Sequence, residues 1–220
     1  MRIFQHFLLT AFFGICLYVS ASGQVLETPL VRYRDIHQAL DNPSGITRLE
    51  LKSAGFELQQ FQKRVREFKN LRELKVIGSL QFETSERLFQ DLSQLPQLET
   101  LTLQNNSLVK TPKSLGQLKK LNKITLDGSP DLEVKMFFKR LTELPHLKEL
   151  TFRNNEFFNV PKEIKDLNAL EILHISGNKY FNYVQAIRRL SEVKNLKTLA
   201  MPSDELAKIP VDSLSPDRID

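Results

Sequence analysis

The sequence is poor in the residues on which most catalytic and metal chemistry relies. Among 220 residues there is one cysteine, Cys16, and no tryptophan. A lone thiol excludes an intramolecular disulfide and any cysteine-only metal site. Four histidines occur, and neither the HExxH pattern of a zinc hydrolase nor a nucleophile signature surrounds any of them. Glycine is scattered over eight positions, which leaves no glycine-rich phosphate loop. No cofactor and no metal are therefore expected, and an enzyme is the least supported class of function. A basic block is missing as well: 31 Lys and Arg face 26 Asp and Glu, with both signs interspersed along the chain, which argues against a nucleic-acid partner. With 41% hydrophobic residues the chain can bury one substantial core and is too apolar to be disordered.

The one long apolar run, Phe7 to Val19, falls short of the ~20 residues that span a bilayer. It follows Arg2 and precedes the small residues Ser20, Ala21, Ser22 and Gly23, and the whole resembles a secretory signal peptide over residues 1–23. Cleavage after Gly23 leaves Gln24 as the new N-terminus; cleavage after Ala21 is the alternative. Cys16 lies inside the apolar run, and Ile15 stands where a lipoprotein would need a small residue, so Cys16 reads as apolar filler. The expected location is the periplasm, the cell envelope or the secreted space, with no membrane span after cleavage.

What the sequence has in abundance is internal repetition. Segments of the form LxxLxL begin at Ile46, Leu71, Leu98, Leu121, Leu147, Leu170 and Leu196, with successive spacings of 25, 27, 23, 26, 23 and 26 residues. A longer period overlies this one, because Pro112, Pro161 and Pro210 are 49 apart, as are Asn106 and Asn155, and Phe89 and Phe138. The structural unit thus reads as a pair of repeats, one short and one long. In a strand alternate side chains point to opposite faces, so Leu101 and Leu103 point inward while Thr102 points out. One such strand cannot offset the entropy of ordering two dozen residues, and stacking on both sides is what makes the core continuous.

After each strand comes a polar position, Ser79, Asn106, Ser129, Asn155, Asn178 or Asp204, suited to bonding turn backbone groups. Gly128 and Gly177 belong to these turns. The short repeats continue with VKTP, FNVP or AKIP and a brief apolar spacing, which predicts a tight turn or a single helical turn. In the long ones Leu88, Phe89, Leu92 and Leu95, then Val134, Phe137, Phe138 and Leu141, then Val184, Ile187 and Leu190 recur at helical spacing, predicting two to three turns of α-helix packed on the core. At the N-terminus, residues 24–45 supply a cap: Tyr33, Ile36 and Leu40 form an apolar stripe that Asn42, Pro43 and Gly45 terminate. Beyond the repeats, residues 46–210, the tail 211–220 offers only Val211 and Leu214 as a shield, which makes that end a candidate dimerisation or docking edge.

The segments LETLTLQNNSLVKTPKSLGQLKKL and LKELTFRNNEFFNVPKEIKDLNAL are similar to the common 23-residue repeat of bacterial leucine-rich-repeat proteins, and RDIHQALDNPSGITRLEL resembles the helix that caps many of them. The resemblance covers roughly Asp35 to Pro210. It implies an α/β solenoid, right-handed, with a parallel β-sheet on the concave face and helices and turns on the convex face. It also implies a recognition surface and leaves the partner open. No kinase, GTPase or ligase domain accompanies the repeats.

In such a solenoid the outward strand positions form columns. One runs Glu50, Lys75, Thr102, Thr125, Thr151, His174, Ala200; the next runs Lys52, Ile77, Gln104, Asp127, Arg153, Ser176, Pro202. Their centre, Thr102, Gln104, Thr125, Asp127, Thr151 and Arg153 with His174 beside it, is the candidate binding surface for a protein partner. A binder of anionic or surface polysaccharide is the alternative. The export reading makes a direct prediction: intact-mass analysis of the exported protein should show a chain beginning at Gln24, or at Ser22 if the peptidase acts after Ala21.

Overall fold

The computed structural model describes residues 36–52, 55–78, 82–106, 108–178 and 181–201. The signal segment with Cys16, Tyr33, Ser79, Pro202, Asp204, Pro210, Val211 and Leu214 all lie outside the described residues, and with them the expected C-terminal docking edge.

Seven strands, β1 (Arg48–Lys52), β2 (Glu73–Ile77), β3 (Thr100–Gln104), β4 (Lys123–Asp127), β5 (Glu149–Arg153), β6 (Ile172–His174) and β7 (Thr198–Ala200), pair in sequence order, and every pairing is parallel. Each is the second half of an LxxLxL segment. The register carries one apolar row straight across the sheet, Leu49, Leu74, Leu101, Ile124, Leu150, Leu173 and Leu199. A second row runs Leu51, Val76, Leu103, Leu126 and Phe152. Apart from the partly buried Leu199 in the last strand, both rows are almost fully shielded from water. A parallel sheet requires a crossover after every strand, and here all the crossovers pass over the apolar face, leaving the other face uncovered.

Helix α1 (Ile36–Asp41) buries Ile36, Ala39 and Leu40 at the N-terminal end. It stops at a 3-10 turn, Pro43–Gly45, where the Asn42 side chain accepts a hydrogen bond from the Gly45 amide. The crossovers then alternate in thickness. After β2, β4 and β6 come α3 (Phe82–Leu92), α4 (Val134–Leu141) and α5 (Tyr183–Leu190). After β3 and β5 come 3-10 segments of five residues, Lys113–Gln117 and Lys162–Asp166, each following a proline. The first crossover departs from this alternation, because it is a helix too, α2 (Gly55–Arg64). Its signal stands in the sequence as Leu58, Phe61 and Val65, spaced by three and four.

One stripe differs from the expectation. In α5 the buried side chains are Tyr183, Ala186 and Leu190, whereas Val184 points to solvent. Asn182 caps this helix by accepting from the Gln185 amide, which fixes its rotation so that Tyr183 faces inward. Most of the described aromatic residues serve the core, Phe158 being exposed. Phe137 stacks on Phe152, and contacts continue through Phe157 and Phe181 to Tyr183 with ring centroids 4.6–5.5 Å apart.

Where β3, β4, β5 and β6 leave the sheet, a buried polar side chain bonds the neighbouring coils. Asn155 donates from Nδ2 to the Leu126 carbonyl at 3.0 Å and accepts at Oδ1 from the Ser129 amide at 2.8 Å. Asn178 repeats the pattern one coil on, donating to Phe152 O and accepting from the Asn155 amide. Asn106 donates to Val76 O, and Ser129 donates its hydroxyl proton to Asn106 O. The preceding turn residue takes a positive φ in every coil from the second to the sixth: Gly78, Asn105, Gly128, Asn154, Gly177. Asparagine and glycine alternate there for a packing reason as well as a conformational one. A Cβ at Gly128 would lie 2.8 Å from Asn105 Oδ1, and one at Gly177 would lie 2.1 Å from Asn154 Oδ1. Each asparagine thus occupies the space that the next coil's glycine leaves open.

Leu150 sits in the middle of the first apolar row with no exposed surface. Leu150→Ala should lower the unfolding free energy by about 2–5 kcal/mol through loss of burial and an unfilled cavity; a urea titration by circular dichroism measures it, and an unchanged midpoint would contradict the placement.

Candidate binding surface

The open face of the sheet is built from the residues that alternate with the core leucines. The register sets Glu50, Lys75, Thr102, Thr125, Thr151, His174 and Ala200 side by side. The second column is continuous through Lys52, Ile77, Gln104, Asp127 and Arg153. It ends there, because β6 stops at His174 and Ser176 lies in the following turn. Of the seven candidate residues, Thr102, Gln104, Thr125, Asp127, Arg153 and His174 share one solvent-accessible surface. Thr151 occupies its column but is only 6% exposed, so it offers little to a partner.

The surface is held in shape by polar contacts between adjacent coils. Asp127 accepts from Asn154 Nδ2 at 2.7 Å and lies 4.0 Å from the Arg153 guanidinium. Glu50, mostly shielded, meets Lys75 Nζ at 3.5 Å. A third outward column went unread in the sequence: Arg48, Glu73, Thr100, Lys123, Glu149, Ile172 and Thr198. The period-2 alternation extends to these positions, two residues before the first column, and would have revealed them. Within this column Arg48 pairs with Glu73 at 3.3 Å and Lys123 with Glu149 at 2.8 Å. Glu149 also lies 3.9 Å from His174 Nε2, which ties the third column to the candidate surface.

Among the described residues no three His, Cys, Asp or Glu side chains gather where they could share a metal ion, and no helix is long and apolar enough to cross a membrane. The candidate surface consists of hydroxyls, an amide, an imidazole and compensated charges spread over four strands, β3 to β6. Such an arrangement can form many weak directional contacts with another macromolecule.

The sequence pattern of the Leucine Rich Repeat family matches residues 97–118, the turn and strand of β3 together with its 3-10 crossover. Residues 97–118 carry the leucine-rich-repeat pattern, and the parallel-sheet solenoid around them has that fold. Comparison with curated proteins gives no match. Among solved structures, a chain of the Toll–Spatzle complex of Drosophila is similar with a TM-score of 0.52 and 18% identity, over 76% of this chain and 23% of that one, which shows the shared fold. The leucine-rich repeat domain of the type III effector XopL is 21% identical over 61% of this chain and 44% of that one, with a TM-score of 0.41. An LRR protein of Leptospira interrogans is 20% identical over 77% of this chain and 58% of that one, with a TM-score of 0.37. The chain spans less than two thirds of the length of each.

Beside the sheet, the ladder of backbone hydrogen bonds continues for one residue before each strand. There Glu171 is gripped from both sides, by Lys197 Nζ at 2.7 Å and Lys148 Nζ at 3.1 Å. These bonds hold its carboxyl below the ordinary carboxylate value of 4.5, the Lys197 bond contributing most. A carboxylate with a depressed folded-state pKa stabilises the fold above its unfolded pKa, and that contribution is lost as pH falls through the folded value. Glu171→Gln should therefore melt below wild type at pH 7, and the gap should close as pH drops below 4.5. Thermal melts across that range give the test; a gap that persists after Glu171 protonates would contradict the ion-pair origin.

Proposed function

We propose that this leucine-rich-repeat protein is an exported, non-catalytic protein-recognition module whose binding surface is the open face of the sheet, centred on Thr102, Gln104, Thr125, Asp127 and Arg153. The observation that carries this reading is the one-sidedness of the fold: the described crossovers lie on the apolar face, while three outward columns present hydroxyl, amide and charged groups on the other. Threonines on strands are rigid at χ1, so a partner orders few side chains on docking there. The Drosophila neighbour is itself part of a complex, which supports recognition as the use of this fold. Export rests on the signal-like segment at residues 1–23.

Two arginines placed on this surface should block it sterically without touching the core, since Thr102 and Thr125 are adjacent in register and both partly exposed. The experiment is affinity capture from the cell's own envelope and culture fractions with wild type beside Thr102→Arg/Thr125→Arg. A protein retained by wild type and lost by the folded variant supports both the class of function and the face. Equal retention by the two removes the sheet face from consideration.

A further inference from the structure

The chain's charges, interspersed in sequence, separate in the fold. A parallel sheet places all the loops that enter strands along one edge and all those that leave along the other. The entry edge is registered by backbone bonds that run Arg72 to Thr47, Glu99 to Arg72, Asn122 to Glu99, Lys148 to Asn122, Glu171 to Lys148 and Lys197 to Glu171. Over the six entry loops that lead into β2–β7, residues 69–72, 96–99, 119–122, 145–148, 168–171 and 194–197, there are seven cations and two carboxylates, a net charge of +5. That equals the formal net charge of the entire chain, so the rest of the sequence is neutral in sum. The opposite edge carries Lys110 against Asp131, Glu133 and Glu156 among the described residues.

All seven cations are exposed, and the two carboxylates are half-buried beneath them. Arg72, Lys148 and Lys197 lean on Glu99 and Glu171. Lys69, Lys120 and Lys194 meet no carboxylate among the described residues. At about 4.8 Å per coil, the row from the second coil to the seventh is ~24 Å long. Where the row begins, Ser44, Gly45, Thr47, Asn70, Arg72 and Gln97 line a groove of about 300 Å³ on the same edge. Hydroxyls, carboxamides and one guanidinium at its margin are groups that bond sugar hydroxyls and a carboxylate.

We infer that this edge is a second binding surface, for a linear carboxylated polysaccharide, with one sugar seated in the groove beside Arg72 and the chain following the lysine row. Three features select this class of ligand. Six of the seven cations are lysines, compact charges on flexible stems that tolerate the uneven anion spacing of a flexible linear polymer. The entry loops contain no Phe, Tyr or Trp and a single imidazole, His146, so they lack a series of rings on which successive nucleobases could stack. None of the exposed large apolar residues, Val109, Met136, Phe158 and Val184, lies on this edge, which leaves a protein partner without an anchor there.

Alginate is the probe, titrated into the purified chain with neutral dextran and a thymidine oligonucleotide as comparators. Alginate should bind with an affinity that falls as salt rises, and dextran should not. Lys69→Glu/Lys120→Glu/Lys194→Glu removes only cations without a carboxylate partner and should weaken binding at least tenfold while its thermal melt stays close to wild type. Arg72→Ala should weaken binding of a short oligouronate more than that of the polymer. Thr102→Arg/Thr125→Arg should bind alginate as wild type does, which separates this surface from the sheet face. No alginate binding, equal binding by the triple variant, or tighter binding of the oligonucleotide would each overturn the inference.

Discussion

Each coil must carry the backbone out of a buried sheet without abandoning peptide groups that water can no longer reach. An unpaired buried amide or carbonyl costs about 1–3 kcal/mol, and a seven-strand solenoid meets the problem at every turn. The solution is a side chain that imitates backbone. Asn155 donates to the coil before it, and its side-chain oxygen receives an amide from that coil, while its own amide is received by Asn178. Each of these coils depends on its neighbours for part of its bonding, so stability is largely a property of neighbours. The left-handed residues beside this ladder follow the same logic, because Asn105 and Asn154 fill space that exists only if the next coil has glycine.

That interdependence explains why so much of the fold was legible in the sequence. Leu101 and Leu103, two apart within a segment repeated seven times, leave little freedom in strand direction or register once the repeat is seen. Asn106 and Asn155 are legible for the same reason, as polar residues at a fixed offset after an apolar strand. Rotation of a short helix is less constrained by pattern. The spacing of Val184, Ile187 and Leu190 is as helical as that of Tyr183, Ala186 and Leu190, and only the Asn182 cap decides between them. Side-chain cover is harder still to read. Thr151 and Thr125 occupy equivalent positions in adjacent repeats, yet only the first is buried.

The charge distribution shows a different limit. Lys69, Lys120 and Lys194 are separated by dozens of residues and by acidic residues between them, so a linear reading finds mixed charge. Folding at a period near 25 residues brings them onto one edge and sends Asp131, Glu133 and Glu156 to the other. A repeat protein thus sorts its sequence by phase within the repeat, and composition taken along the chain averages over the coordinate that matters. Three regions of different character result: a nearly neutral polar sheet face, a basic edge, and an opposite edge with a slight acidic excess where Val109 and the 63% exposed Phe158 are displayed.

The alternation of thick and thin crossovers sets the geometry of all three. Neighbouring strands stand about 4.8 Å apart, whereas packed helices need 8–10 Å between axes. A helix on every coil would force the outer layer to fan open and bend the sheet into a tight horseshoe. With 3-10 segments between α3, α4 and α5, two strand spacings of together ~9.6 Å match one helix spacing. From β2 onward the two layers can then run almost alongside each other, and only at the N-terminal end, where α2 and α3 follow neighbouring strands, must the helical layer spread wider than the sheet beneath it.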